Sequence, residues 1–548
     1  MFSGYNVRKY PRMSAAQVKK ILLAILIVSA ILRVGWISRG DTVNDEVYYG
    51  FRSVGFMDFN VAREQTTPLE WWDPTPPLWT GLSFHDHPPL VFAIQHLFIK
   101  VFGENNFALR LSSALLGIAS VYVIFLLGSL IYSPLVGLVS AGTLAVTLNH
   151  VYISRTGMQE SYVIFFMLLA SYLFLKAVRQ GRSFIPAGIV TGLAFLTKYN
   201  SLILLPIFGT YILFFHRAYL KNKKLWFSVI AAILVFSPVI IYNLMLYRTV
   251  GHFDFQFSYI FGQSPKEWPV APGKEIGSLM ERLSDFLPNI IGSNSWIFLV
   301  IALVSLFFLR NAFVGISIAY LLILLSVIGP SFRFLTMLSP FLALSVGAFL
   351  GKFAEWKKYT LILLIPLAVF EIFYSVNNQI MYYPVGPSPW LSSKVRYENY
   401  NWGNNELGEF FKKEFDGKVP ALTFPMKYVF LEKTQGLFMS ADKRKKYVLY
   451  PALIVTEANF DRGAKLWVLD RLQVYHGWPI IDLPTYFSFL EKNGSDYFSQ
   501  AGFRNYYYVT SSNIVPNPKF AALVEGFESV SITNPRGDTA FTDDHLTR

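Results

Sequence analysis

Hydrophobic residues arrive in long runs over the first two thirds of the chain. Apolar stretches at roughly 18–37, 107–131, 134–153, 160–177, 184–198, 201–216, 225–246, 293–309, 312–330, 333–351 and 358–376 alternate with polar turns and two long polar loops. A helix needs about 20 apolar residues to cross a hydrocarbon core about 30 Å thick, so this spacing predicts about eleven transmembrane helices. One further apolar segment, PPLVFAIQHLFIKVFG (88–103), is shorter and carries Gln95, His96 and Lys100 at neighbouring helical positions. That polar stripe predicts a helix on the membrane surface. Beyond 376 the runs cease. Strands are expected at KVPALTF (418–424), KYVLYPALIV (446–455), AKLWVLD (464–470) and NYYYVTSS (505–512), and amphipathic helices at NNELGEFFKKEF (404–415) and PTYFSFLEKNG (484–494). The expected fold is a multi-pass α-helical membrane domain, 1–376, followed by a soluble α/β domain, 377–548.

Basic residues set the expected orientation. With the N-terminus cytoplasmic and residues 88–103 left at the surface, four basic stretches fall on the cytoplasmic side. They lie around Lys176, Arg179 and Arg182, in HRAYLKNKK (216–224), at Arg310 and in GKFAEWKK (351–358), as the positive-inside rule requires. The first apolar run follows Arg8, Lys9, Arg12, Lys19 and Lys20 without a small-residue cleavage site, so it is expected to remain as a span. The C-terminal domain is then extracytoplasmic, outside an inner or plasma membrane.

Composition removes several classes of function. Of 548 residues 53% are hydrophobic and 15% charged, with a mean hydropathy of +0.39, and these values exclude an ordinary soluble domain. The net charge of +13 reports membrane orientation rather than nucleic-acid binding. There is no cysteine, hence no disulfide, thiolate catalysis or cysteine-based zinc site.

The same topology gathers polar groups from distant parts of the chain on one external face. The loop 38–106 is too long for a simple connection and holds Asp41, Asp45, Glu46, Asp58, Glu64, Glu70, Asp73 and Asp86 with Trp71, Trp72 and Trp79, tryptophans suited to the headgroup layer. Asp45 or Glu46 in a low-dielectric pocket could serve as a general base, although Asn44 and Asp45 are equally suited to starting a helix. Glu160, shortly after Arg155, opens a span as a second acid. Lys198 with Tyr199, and Arg333, stand at external span ends where a lipid phosphate would lie. HDHPPL (85–90) offers Asp86 between His85 and His87, a set that with His252 has the residue types for a divalent metal; a turn stiffened by Pro88 and Pro89 is the structural alternative. No other cofactor is indicated.

Taken in order, NDEVYYGFR, DHPPL, FGENNFALRLSSALLG, SRTGMQESYVIFF, GIVTGLAFLTKY and SFRFLTMLSP resemble the GT-C class of membrane glycosyltransferases, over about residues 18–350. The branch they resemble contains the protein O-mannosyltransferases and the bacterial enzyme that adds aminoarabinose to lipid A. The resemblance implies a polyprenyl-phosphate sugar as donor, a lipid, glycan or protein acceptor in the cell envelope, and inversion by single displacement. It implies that Asp45 is the acid beside the acceptor hydroxyl, that Glu46 is its neighbour in the motif, and that Glu160 stands where the family has a second acid, usually aspartate. Asp86, His87, Pro88 and Pro89 match an acid-base-PP pattern, with histidine in place of lysine. Lys198, Arg333, His87 and Tyr199 then hold the donor phosphate.

Two other classes fit parts of the pattern. A transporter or flippase of lipid-linked sugars would show ionisable groups deep within spans and an internal repeat. A membrane scaffold presenting the C-terminal domain would not need acids and bases gathered on one face.

Overall fold

The computed structural model describes residues 13–42, 44–60, 66–268, 277–354, 359–399, 401–439, 445–513 and 518–547. Arg8, Lys9, Arg12, Glu64 and residues 355–358 of the basic stretch GKFAEWKK lie outside the described residues. The chain folds as two compact units, one of residues 1–38 and 81–397, the other of residues 39–80 and 398–548. Composition places the domain boundary at 376; the contacts instead put 39–80 with the C-terminal part and 377–397 with the helices.

The first unit is helical, and its apolar helices make the chain a membrane protein. Among the described residues five helices are long and apolar enough to span: Ala15–Val34, Asn106–Ile131, Glu160–Gln180, Lys223–Val250 and Phe332–Gly351. The run 134–153 forms two helices, Pro134–Val146 and Leu148–Ser154, bent by 64°. The expected span 358–376 is the 21-residue helix Tyr359–Gln379. The remaining expected spans are shorter helices, and Ile185–Phe195, at 1.5 Å per residue, rises only about 16 Å. The helix Leu90–Phe102 rises about 20 Å. Its expected polar stripe is divided, because Gln95 is buried and donates to the Gly157 carbonyl at 2.6 Å while Leu97 and Val101 are exposed.

Lipid-facing helices gain little from hydrophobic association with one another, so close backbone approach and buried polar contacts must join them. Gly188 packs against the Ser228 carbonyl so closely that a Cβ there would collide with it. Buried arginines satisfy the carbonyls at the end of the first helix, which otherwise lack partners. Arg155 donates to Leu32 (2.8 Å), Gly35 (2.7 Å) and Trp36 (3.1 Å), and Arg110 donates to Ile37 (3.1 Å). Arg155 thus holds the chain where it leaves the first helix.

The second unit has a five-stranded mixed sheet and a two-stranded parallel pair. Its strands are β1 (Lys418–Pro420), β2 (Val448–Tyr450), β3 (Ala452–Thr456), β4 (Ile480–Asp482), β5 (Asn505–Ser511), β6 (Glu528–Thr533) and β7 (Thr539–Thr547). The large sheet has the order β4-β3-β5-β7-β6, with β3 parallel to β4 and β5, and β7 antiparallel to β5 and β6. The run 446–455 is split into two strands at Pro451, and the helices at 404–414 and 483–493 form as expected. AKLWVLD is not a strand. Residues Gly463–Asp470 form a buried π-type helix, started by the Asp461 carboxylate, which accepts from the Gly463 N–H (2.6 Å) and the Ala464 N–H (3.2 Å). A short apolar run cannot be told from a buried helix by periodicity, and here the start signal lies just ahead of it.

Candidate functional site

Glu160 begins the helix Glu160–Gln180 and is fully buried. An acid in the first helical turn is favoured by the helix dipole. Lys198, in the turn before the 3-10 segment Tyr199–Ile203, donates from Nζ to Glu160 Oε1 at 2.7 Å, while Glu160 Oε2 is buried with no hydrogen-bond partner. Phe334 joins Arg333 to this pair: Lys198 Nζ lies 5.0 Å and the Arg333 guanidinium 4.8 Å from its ring centre. Two cations and one carboxylate are thus gathered here, side-chain types that can hold a phosphate-sized anion. Glu160 is therefore engaged with Lys198 and does not stand apart as a second acid.

HDHPPL folds as a turn, not a strand. The Phe84 N–H donates to the His87 carbonyl at 3.2 Å. Asp86 Oδ1 lies 3.1 Å from His87 Nδ1 and 3.8 Å from His85 Nδ1. His252 joins elsewhere: its Nε2 lies 3.6 Å from Glu267, and its ring meets Trp268 at 4.7 Å, with His85 stacked on the same indole at 6.0 Å. Among the described residues His85 and Asp86 offer ligand atoms within 4.8 Å of one another, as a divalent metal would need, whereas His252 is not part of that group. Trp268 lies between the two imidazoles that sequence alone would pair.

Tyr199 is also committed. Its hydroxyl donates to Asp254, which further accepts from Asn243 Nδ2 (3.0 Å) and the Phe257 N–H (2.9 Å) as the start of a short helix. Burial pushes the Asp254 carboxyl up to about 6 against the pull of these donors. Sequence reasoning passed over Asp254; its position before Phe255–Ile260 was the available signal.

In the second unit Asp45 is the first residue of the helix Asp45–Gly55, half-buried, and accepts from the Tyr49 hydroxyl at 3.2 Å. Glu46 is fully buried. Asn44 precedes them at φ 51° and ψ −137°, a region costly for a residue with a Cβ, and its side chain makes no cap bond. Backbone strain of this kind is concentrated where side-chain direction matters. Asp41 is buried and accepts from the N–H groups of Trp402 (2.5 Å), Asn404 (3.3 Å) and Asn405 (2.9 Å), at the start of the helix Asn404–Glu414. Asp73 does the same for Val429 and Phe430, both at 3.0 Å, at the start of Val429–Phe438. Trp71, Trp72 and Trp79 pack edge to face, with centroids 5.8 and 5.4 Å apart. The long loop thus supplies remote caps to helices of the C-terminal part.

Over its whole length this architecture is similar to that of ArnT from Cupriavidus metallidurans, in its apo state and in a crystal bound to undecaprenyl phosphate. The apo comparison covers 97% of this chain and 98% of that one, with a TM-score of 0.57 and 14% identity; the lipid-bound one has a TM-score of 0.56. This chain has the fold of the GT-C membrane glycosyltransferases. Residues 86–242 match the profile of the family described as dolichyl-phosphate-mannose-protein mannosyltransferase. Two Bacillus subtilis (strain 168) proteins, YkcB and YycA, each named a "putative mannosyltransferase", are 28% identical over 240 residues and 30% identical over 207 residues. Those matches cover 41% and 37% of this chain, and 31% and 28% of the relatives' own lengths.

Proposed function

We propose that this protein is an inverting glycosyltransferase that moves a sugar from a polyprenyl-phosphate donor to the hydroxyl of a lipid, glycan or protein acceptor outside the membrane. The observation that carries this reading is the Glu160–Lys198 pair with Arg333 about Phe334. The N-terminus is then cytoplasmic, and Asp45 is the general base. In the reaction the acceptor oxygen forms a bond to the anomeric carbon as the bond from that carbon to the phosphate oxygen breaks. The acceptor proton passes to Asp45, and the lipid phosphate leaves with the electron pair.

Phosphate is a fair leaving group, so positioning and charge stabilisation are the main tasks of the protein. Arg333 and Lys198 take the developing phosphate charge, with His87 at its edge. Glu160 is a positioning residue that fixes the ammonium, and Tyr199 acts through Asp254 rather than on the donor.

The test uses purified protein, a radiolabelled polyprenyl-phosphate sugar and hydroxyl acceptors. Asp45→Asn is expected to lower transfer by about 100- to 10,000-fold, the usual worth of a general base. Undiminished transfer in that variant rejects the assignment.

A further inference from the structure

The sheet of the second unit leaves a cavity that the transfer reaction does not use. From β3 the chain passes first to β4 on one side and then to β5 on the other, all three parallel. Strand order therefore reverses at β3, and in open α/β sheets ligands bind outside the carboxyl ends of the strands at such a point. A cavity of about 530 Å³ opens there, lined by Glu457 directly after β3, Asn459, Leu483 and Phe487 beyond β4, and Pro518 and Lys519. That volume is within the range of small-molecule sites.

The lining sets the ligand's chemistry. Glu457 Oε1 is buried with no hydrogen-bond partner, and burial raises the pKa of the group. A buried acceptor without a donor is costly, so a ligand that brings a donor gains there. Asn459 is exposed and offers both a donor and an acceptor, while Phe487 is half-buried and presents part of its ring. An anion is poorly served. Lys519 is 3.8 Å from Glu491, which counters its charge, and the positive end of the helix Leu483–Asn493 is already met by Asp482, which accepts from the Thr485 N–H at 2.8 Å. What fits is a neutral molecule with hydroxyl donors on its edges and an apolar C–H face.

We propose that this cavity binds a neutral pyranoside, whose hydroxyls donate to Glu457 and exchange hydrogen bonds with Asn459 while its C–H face lies on Phe487 and Pro518. The site is separate from the transfer chemistry and does not depend on Asp45.

Saturation-transfer NMR on the full-length protein in lipid nanodiscs, free of sugar-headed detergent, tests it with methyl α-D-mannopyranoside, methyl β-D-glucopyranoside and methyl β-D-galactopyranoside. Transfer to ring C–H protons is expected for at least one of them. Binding is expected to weaken about tenfold or more in Glu457→Gln and in Phe487→Ala, the latter backed by the exposed-site variant Asn459→Ala, and to persist in Asp45→Asn. The proposal is overturned by absence of transfer with all three glycosides, or by transfer unchanged in all three cavity variants. Displacement of the glycoside by inorganic phosphate also overturns it. So does a signal lost in Asp45→Asn but kept in Glu457→Gln, which would assign binding to the transfer site.

Discussion

Lys198 and Glu160 are worth more as a pair than either is alone. Removing one partner leaves a charge in a buried place, at a cost on the order of 3–5 kcal/mol, whereas removing both exposes no such charge. Glu160→Gln and Lys198→Met are each expected to lower the melting temperature, and the double variant to recover part of the loss. A double-mutant cycle read by thermal denaturation measures this, and simple additivity would contradict the pair. Asp543 makes a contrasting case in β7. It is buried, both carboxylate oxygens lack partners, and burial, with Asp544 and Glu414 nearby, raises its pKa to about 8. A folded value above the ordinary 3.8 means full stability at low pH that is lost as pH rises toward 8. Asp543→Asn is expected to remove that loss, worth a few kcal/mol at pH 8, and to flatten the fall of melting temperature between pH 4 and 8. The sequence offered no sign of this, because an aspartate in a strand reads as solvent-facing until the other layer is known.

Helix starts explain much of what the long loop does. Two of its aspartates reach the first turns of helices more than 350 residues away in sequence, Asp41 at Asn404–Glu414 and Asp73 at Val429–Phe438. A missing cap costs on the order of 0.5–2 kcal/mol, and buried N–H groups without an acceptor cost more. Asp41→Ala is expected to speed amide exchange at Trp402 and Asn405, and Asp73→Ala at Val429 and Phe430, each without effect on the other helix. Hydrogen exchange with site resolution decides it; a common acceleration at both helices would mean global opening instead. Both helices end in ordinary local signals, yet neither starts with a side chain of its own that bonds back to its first turn. A local reading could find the helix at 404–415 but not its cap. The same limit misread AKLWVLD, where burial of every residue but Lys465 erased the periodicity that separates helix from strand.

At the scale of the whole molecule the orientation is open to direct test, helped by the absence of cysteine. Single cysteines placed by Asn222→Cys and Ser388→Cys can be labelled with a membrane-impermeant maleimide on intact cells without background. The expected result is labelling at 388 and protection at 222; the reverse would overturn both the cytoplasmic N-terminus and the external chemistry. The helical runs and their order were legible because crossing a bilayer is a local demand: length and apolarity must be met within each segment. The motifs of the GT-C class were legible for a similar reason, since they sit where those segments end. Partnership was not legible. That Lys198 meets Glu160, that Tyr199 is spent on Asp254, that Trp268 stands between His85 and His252, and that Arg155 holds the end of the first helix all depend on residues far apart in sequence. A buried polar group must find its partner wherever the fold brings one within reach, so tertiary structure alone decided which polar residues were available for chemistry.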